Sequence, residues 1–175
     1  GVLAVLELAD RIDPARRVDV RALLTRAEEV GFVGAIAAAR SGVLPRAARI
    51  VAIEASRALP HAPQGAGPIL RVGDRTSVFD DGLTRWLGRV ATELAGPNGD
   101  RFAWQRRLMD GGTCESTAYQ LYGYRCAPPC VPLGNYHNMV GIDEVLANKR
   151  RARLSPEEID VSDFHGLVDL LSALA

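Results

Sequence analysis

The sequence lacks several features that mark particular classes of protein. It has no charge excess, because Lys and Arg together number 21 and Asp and Glu together also number 21. A nucleic-acid or anionic-membrane surface would need a basic excess. No apolar run approaches the ~20 residues that span a bilayer, and Glu7 and Asp10 interrupt the opening segment where a signal peptide would be apolar. We therefore expect a cytoplasmic protein with no nucleic-acid partner and no membrane partner.

Cysteine is also scarce. The three cysteines are an odd number, which gives no disulfide framework, and Cys126 and Cys130 lack the second pair that a zinc knuckle requires. We interpret them as reduced thiols. Cys114 comes after Gly-Gly-Thr at 111–113, near the start of a predicted helix, where a thiol can have a lowered pKa and act as a nucleophile. No base partner for it is identifiable nearby in the sequence.

The apolar pattern that is present predicts a single α/β domain over 1–175. Apolar residues make up 47% of the chain, and its length is sufficient for a proper core. Segments with strand and helix periodicity alternate, which favours a mixed central β-sheet flanked by helices. Strands are predicted at 18–25, 50–55, 69–72, 102–106 and 130–133. Helices are predicted at 2–12, 33–40 and 81–95, near 113, and at 161–175.

Three acids occur where desolvation is costly. Glu28 and Glu29 come at the end of an apolar run, and Glu54 lies inside the next one. Buried carboxylates need a compensating cation, and a metal ion with a nitrogen ligand from His137 would provide it. One of the two adjacent acids could then bind the metal while its neighbour acts as a general base.

Simpler interpretations of these acids stay open at this stage. Glu28 and Glu29 could be solvated acids that cap the following helix. Glu54 could pair with Arg57 or Arg71 in the core.

A dinucleotide site is a weaker alternative. Gly31 and Gly34 follow a predicted strand, and Glu54 comes twenty residues later, which imitates the dinucleotide-binding pattern. Glu29, however, occupies the place of the first glycine. A carboxylate there would block the close approach of the backbone and repel a pyrophosphate.

These stretches together resemble the dinuclear zinc aminopeptidases of the glutamyl-aminopeptidase and deblocking-aminopeptidase type, which are related to the cellulase-M-like peptidases. The similar stretches are Glu-Glu-Val-Gly and its continuation at 28–35, Ala-Ile-Glu at 52–54, 72–77, Gly-Gly-Thr at 111–113 and Tyr-His at 136–137. The resemblance implies a zinc-peptidase-like three-layer α/β/α fold, peptide substrates and a homo-oligomer. It also implies two zinc ions, with cobalt or manganese as alternative metals.

The resemblance assigns roles to the acids and the histidine. It implies that Glu28 is the general base and that Glu29 and His137 bind one zinc ion. It implies that Glu54 binds the other zinc ion.

Substrate binding is implied for Gly112, Thr113 and Glu115. The family usually has Gly-Thr-Asp where this chain reads Thr113-Cys114-Glu115. We therefore expect Glu115 to take the place of that aspartate, one residue later.

The family's first histidine ligand and its metal-bridging aspartate precede the helix with which this chain opens. The resemblance therefore implies the C-terminal part of a catalytic domain, truncated at its N-terminus. Neither zinc would keep the three protein ligands of an ordinary catalytic site. We predict a metal-dependent aminopeptidase, of which this chain alone binds zinc weakly and does not hydrolyse peptides. The alternatives are an amidohydrolase or deacylase of small amides and a non-catalytic scaffold module.

Overall fold

The computed structural model describes residues 1–16 and 18–175. The helices are α1 Val2–Arg11, α2 Val33–Ser41, α3 Asp81–Ala95, α4 Glu115–Leu121, α5 Ile142–Leu146 and α6 Val161–Leu174, with a 3₁₀ turn at Tyr136–Asn138. The strands are β1 Arg49–Ile50, β2 Glu54–Arg57, β3 Ile69–Asp74, β4 Gln105–Met109, β5 Arg125–Cys126, β6 Pro129–Gly134 and β7 Glu158–Ile159. Within the described ranges, no helix has the length and apolar character needed to cross a membrane.

A mixed five-stranded sheet lies at the centre of the fold. Its strand order is β2-β6-β3-β4, and β7 pairs with β6. Strand β2 runs parallel to β6 and β3 runs parallel to β4, whereas β3 is antiparallel to β6. Strands β1 and β5 form a separate parallel pair. This arrangement confirms the predicted α/β fold with a mixed sheet flanked by helices; that 1–175 forms a single domain stays a prediction.

The sheet has two chemically different faces because side chains alternate along each strand. Leu70 packs in a buried cluster with residues of α3 and α6, and Val131 packs in another with residues of α1 and α6. Ile69 and Cys130 are grouped instead with Met109 in a third cluster. Helices α1, α3 and α6 therefore cover one face, and the candidate site described below is built on the other.

The predicted strand at 18–25 is wrong, because this segment joins no strand ladder. Its larger apolar side chains are between 41% and 65% exposed: Val18, Val20, Leu23 and Leu24. An apolar run of strand-forming residues indicates an extended backbone. It does not reveal whether a neighbouring strand is available to pair with it.

Two further strand predictions need correction. The predicted strand at 50–55 is divided into β1 and β2, which belong to different sheets, and 51–53 lies between them. The predicted strand at 102–106 is displaced, since β4 covers Gln105–Met109. The predictions at 69–72 and 130–133 are confirmed by β3 and β6.

The predicted helices at 33–40, 81–95 and 161–175 are confirmed by α2, α3 and α6. Helix α3 begins where Asp80 accepts a hydrogen bond from the N–H of Leu83 at 2.7 Å. Helix α6 begins where Asp160 accepts one from the N–H of Ser162 at 2.8 Å. Such side-chain caps satisfy N–H groups that have no partner within the helix.

Asp163 of α6 fixes the loop that leads into β3. Its side chain is buried, with 0% of the residue exposed. Its carboxylate accepts the N–H groups of Gly65 at 2.8 Å and Gly67 at 2.7 Å. Gly67 has φ +87°, and a Cβ there would lie 2.0 Å from the carbonyl oxygen of Ala103, so only glycine fits this position.

Replacing Asp163 tests this connection. Asp163→Asn should lower the free energy of unfolding by about 2 kcal/mol, because an amide has one oxygen for two N–H donors and turns its own NH₂ toward one of them. Urea unfolding followed by circular dichroism measures the loss. The control is Asp169→Asn in the same helix, whose ion pair with Arg11 is partly exposed and should contribute less than about 1 kcal/mol. Equal losses in the two variants would contradict the assigned role.

Candidate active site

Glu28 and Glu29 lie in the turn that leads into α2. The carbonyl of Glu28 accepts hydrogen bonds from the N–H groups of Gly31 at 3.2 Å and Phe32 at 3.0 Å. Glu28 is half-buried and Glu29 is exposed. Phe32 is the N-cap residue of α2, and no side chain caps this helix. The structure therefore does not support the helix-capping role that the sequence left open for the two acids.

Glu28 lies among several charged side chains. Burial raises the pKa of Glu28, and the negative charges of Glu29 and Glu115 raise it further, whereas the charge of His137 opposes them. The structure thus brings together the three predicted residues Glu28, Glu29 and His137. A carboxylate with a raised pKa is suited to accept a proton closer to neutral pH.

Glu54 belongs to the same group. It opens β2 and pairs with Cys130 of β6. Burial raises the pKa of Glu54 to about 7; the positive charge of Arg71 lowers it, and the negative charges of Glu28 and Glu115 raise it. We refer to Glu28, Glu29, Glu54 and Glu115 as the acidic cluster.

Arg71 is the cation beside the acidic cluster. It follows Ile69 by two positions in β3, and Ile69 and Glu54 pair with the same residue of β6, so the strand alternation places Arg71 and Glu54 on one face. Arg71 is 4% exposed. Its Nη2 lies 4.0 Å from Oδ2 of Asp74, and its guanidinium lies 5.7 Å from the centroid of the Phe79 ring. In the described part of the chain, its Nε has no hydrogen-bond partner.

The structure also distinguishes between the two arginines, Arg57 and Arg71, that the sequence left open as partners for Glu54. Arg71 is close enough for its charge to lower the pKa of that carboxyl. Arg57 instead forms a short ion pair with Asp143 near the surface. Arg71 is therefore the core cation of this face.

His137 lies in the 3₁₀ turn after β6 and is exposed. The φ angles of Asn135, His137 and Asn138 are 47°, 59° and 56°, a left-handed backbone that costs energy in residues other than glycine. The N–H of His137 donates to Oε1 of Glu157 at 2.8 Å. Its ring centroid lies 4.0 Å from that of Tyr136. Backbone strain of this kind is concentrated at functional sites.

The predicted substrate-binding residues lie at the start of α4. Glu115 is its first residue, and Oε1 of Glu115 accepts a hydrogen bond from the hydroxyl of Thr25 at 2.7 Å. Thr113 is exposed in the loop that precedes the helix. A Cβ added to Gly112 would lie 3.8 Å from the hydroxyl oxygen of Tyr136. Tyr136 therefore brings the histidine turn and this loop together.

Asp74 organises the site, although the sequence analysis gave it no role. Its buried carboxylate accepts the N–H groups of Thr76 and Ser77, each at 2.8 Å, the N–H of Cys114 at 3.2 Å and the hydroxyl of Thr117 at 3.1 Å. Burial raises the pKa of Asp74, but the hydrogen bonds from Thr76, Ser77 and Thr117 outweigh it, and the net pKa is lowered. Asp74 thus ties the end of β3 to the N-terminus of α4.

The cysteines do not have the chemistry of nucleophiles. All three are buried free thiols. Burial raises the pKa of Cys114 and of Cys126 to about 12 and the pKa of Cys130 to about 11. Because a nucleophilic thiol needs a lowered pKa, the structure contradicts a thiol mechanism at Cys114.

The described residues do not make a complete metal site. In 1–16 and 18–175, no three His, Cys, Asp or Glu side chains come together closely enough to hold a metal ion. The charges of Glu29 and His137 act on Glu28, and the charge of Glu28 acts on Glu54. These four residues nevertheless do not form a full ligand set. A catalytic zinc ion needs three protein ligands and one open position. These residues alone therefore do not fit a catalytic zinc ion.

Arg71 can be tested by a change in stability. Arg71→Met should lower the free energy of unfolding by about 3 kcal/mol, because it leaves the buried carboxylate of Asp74 without the cation beside it. Urea unfolding midpoints measure the loss. The control, Arg57→Met, removes an exposed pair with Asp143 and should cost less than about 1 kcal/mol. A loss at Arg71 no larger than the control's would refute the role of a core cation.

Asp74 should control stability in acid. Since its folded-state pKa is lowered, its ionised form stabilises the protein above the unfolded-state pKa of ~3.9, and this contribution is lost as the pH falls through the folded-state pKa. Wild type should exceed Asp74→Asn in unfolding free energy by about 2 kcal/mol above about pH 5, and the difference should shrink below about pH 4. Urea unfolding over a pH series measures it. A difference that does not vary with pH would be evidence against this assignment.

Solved structures of aminopeptidases share this fold. The aminopeptidase APDkam598 from the archaeon Desulfurococcus kamchatkensis aligns with a TM-score of 0.74 at 20% identity, over 99% of this chain and 45% of that chain. The PhTET1-12s dodecamer aligns with a TM-score of 0.73 at 24% identity, over 99% of this chain and 46% of that chain. The TET1 peptidase of Pyrococcus horikoshii aligns with a TM-score of 0.57 at 23% identity, over 84% and 38%. This chain therefore spans less than half the length of each.

The sequence itself matches a family. No curated protein matches it, but residues 1–150 match the family described as M42 glutamyl aminopeptidase. The match leaves 151–175 of this chain outside, and the expectation that the chain is the C-terminal part of the catalytic domain stays a prediction. The match does confirm the family predicted from the resemblance. Because the matched region covers most of the 175 residues, the chain belongs to the M42 glutamyl aminopeptidase family.

Proposed function

We propose that this protein is a metal-dependent aminopeptidase, which hydrolyses the first peptide bond of its substrates. Membership of the M42 glutamyl aminopeptidase family supports the reaction class. The observation that carries the proposal is the environment of Glu28, where burial, Glu29 and Glu115 raise the pKa of a half-buried carboxyl group.

Glu28 is the proposed general base and acid. Its carboxylate takes the proton of the attacking water and then returns it to the leaving amine. A base works best when its pKa lies near the working pH, and the raised pKa of Glu28 moves it in that direction.

The proposed metal ligands are Glu29 and His137 for one divalent ion and Glu54 for a second. Zinc is the expected metal, with cobalt and manganese as alternatives. Such ions polarise carbonyl groups and activate water when they are bound. Because the described residues do not complete a ligand set, we propose that the complete enzyme supplies the other ligands. The chain of 175 residues alone should then bind zinc weakly and leave peptides uncleaved.

The substrates are proposed to be peptides that contact Gly112, Thr113 and Glu115. The closeness of Gly112 to the Tyr136 hydroxyl group supports a shared substrate surface between this loop and the histidine turn. We further propose that the enzyme is a cytoplasmic homo-oligomer. PhTET1-12s is a dodecamer, and the Pyrococcus horikoshii TET1 peptidase assembles into a tetrahedron or a large octahedral shell.

The role of Glu28 can be tested in the complete, metal-loaded enzyme. Glu28→Gln should lower kcat on aminoacyl anilides by roughly 10²–10⁴-fold, because the amide cannot accept the proton of water. The matched control is Glu93→Gln, an exposed residue of α3, which should retain wild-type kcat. A chelator should abolish the wild-type activity, and added zinc should restore it.

The substrate comparison separates the proposal from its alternatives. Hydrolysis of N-acyl amino acids in preference to aminoacyl anilides would identify an amidohydrolase or deacylase instead. A scaffold module would hydrolyse neither substrate, and Glu28→Gln would leave its biological effect unchanged.

A further inference from the structure

A second surface region of the protein carries a local excess of positive charge. It is a cleft with a volume of about 400 Å³, lined by residues of β1 and β5 and by α3 from its N-cap Asp80 to Arg89. Three of its lining residues are the arginines Arg49, Arg89 and Arg125, and its one acidic lining residue is Asp80. None of the residues assigned to the candidate active site lines it. We call this region the arginine cleft.

The three guanidinium groups have no carboxylate partners in the described part of the chain, where none of them lies within 4.0 Å of one. Arg125 donates a hydrogen bond to the carbonyl oxygen of Ala47 at 3.2 Å. Arg49 lies over the ring of Trp86, 4.9 Å from its centroid. Both contacts orient a guanidinium group without cancelling its charge.

The strand register brings two of these charges together. Arg49 of β1 pairs directly with Arg125 of β5. Adjacent strands lie about 4.8 Å apart, so both side chains leave the same face side by side, and like charges in this position are destabilising. Asp80 does not relieve the repulsion, because its carboxylate caps α3 through the N–H of Leu83 at 2.7 Å and lies beyond 4.0 Å from the three guanidinium groups. An anion between the guanidinium groups of these two arginines would relieve it.

We propose that the arginine cleft binds a phosphate group, either free or carried by a small ester. Three positive charges and one negative charge give the lining a net charge of +2, which matches the −1.5 to −2 of a phosphate monoester at about pH 7. Guanidinium groups bind phosphate oxygens through paired hydrogen bonds. A phosphate monoester offers three strong acceptor oxygens to three arginines, whereas a carboxylate offers two. The ring of Trp86 adds an apolar wall on which the rest of an ester can rest.

Trp86 provides a direct probe of binding. The chain has two tryptophans, so Trp104→Phe leaves Trp86 as the only one. Titration of that variant with inorganic phosphate and with glycerol phosphate, at constant ionic strength, should give a saturable change in Trp86 emission as Arg49 shifts toward the anion. Calorimetry on the wild-type protein should give a Kd on the order of 1 mM or tighter. If both anions bind, the cleft recognises the phosphate group alone. If glycerol phosphate binds and inorganic phosphate does not, the ligand is a phosphate ester.

Variants distinguish a specific phosphate site from non-specific electrostatic attraction of anions. Arg49→Gln and Arg125→Gln should each weaken binding at least about tenfold by calorimetry, and Arg49→Lys should fall between Arg49→Gln and wild type because lysine keeps the charge but loses the paired donors. The matched control is Arg85→Gln in the same helix, since Arg85 pairs with Asp81 and lies outside the cleft; it should stay within about twofold of wild type. Circular dichroism verifies that each variant is folded. Absence of saturation with either anion, or an equal loss in Arg85→Gln, would overturn the proposal.

Discussion

The buried carboxylate of Asp74 holds the candidate active site together. It accepts donors from the turn at the end of β3 and from the start of α4, two segments that lie forty residues apart. A hydrogen bond to a charged acceptor contributes about 1.5–3 kcal/mol, and the same donors would be costly to bury without a partner. Because Cys114 is one of these donors, the bond fixes its neighbours Thr113 and Glu115 relative to the sheet. The loop proposed to bind substrate is thus held in place by a group that lies outside the proposed catalytic chemistry.

The balance of charges around Arg71 explains why the pKa values of Glu54 and Glu28 are raised. Arg71 is the buried cation on this face of the sheet, and its Nη2 lies 4.0 Å from the carboxylate of Asp74. The carboxyl groups of Glu54 and Glu28 are less well compensated, because burial and the negative charges of neighbouring glutamates raise the pKa of both. This region therefore has an excess of negative charge, which an added cation would compensate. The described residues nevertheless lack a complete ligand set, so they do not enclose a cation by themselves.

Local patterns in the sequence predicted the features that depend on local interactions. The helices α3 and α6 follow from their apolar periodicity and begin at the caps Asp80 and Asp160. The strand prediction at 18–25 was wrong because strand pairing depends on a neighbouring strand, which the residues of the segment do not encode. The sequence suggested that Glu28 and Glu54 lie near one another, because carboxylates are costly to bury unless a cation compensates them. Asp74 was missed because the run Asp-Arg-Thr-Ser at 74–77 is polar and typical of a solvated turn, whereas its burial depends on contacts with the distant α4.

Net charge conceals the electrostatic organisation of this chain. A total of zero argues against an extended basic surface, but fields at the surface act only within about 8–10 Å at ordinary ionic strength. On that length scale the acidic cluster and the arginine cleft each have a local excess of charge, negative in the first and positive in the second. Each results from the fold, since β2 and α4 bring Glu54 and Glu115 together and the β1–β5 pairing brings Arg49 beside Arg125. The sign of the local charge therefore depends on how the chain folds, which neither composition nor total charge can reveal.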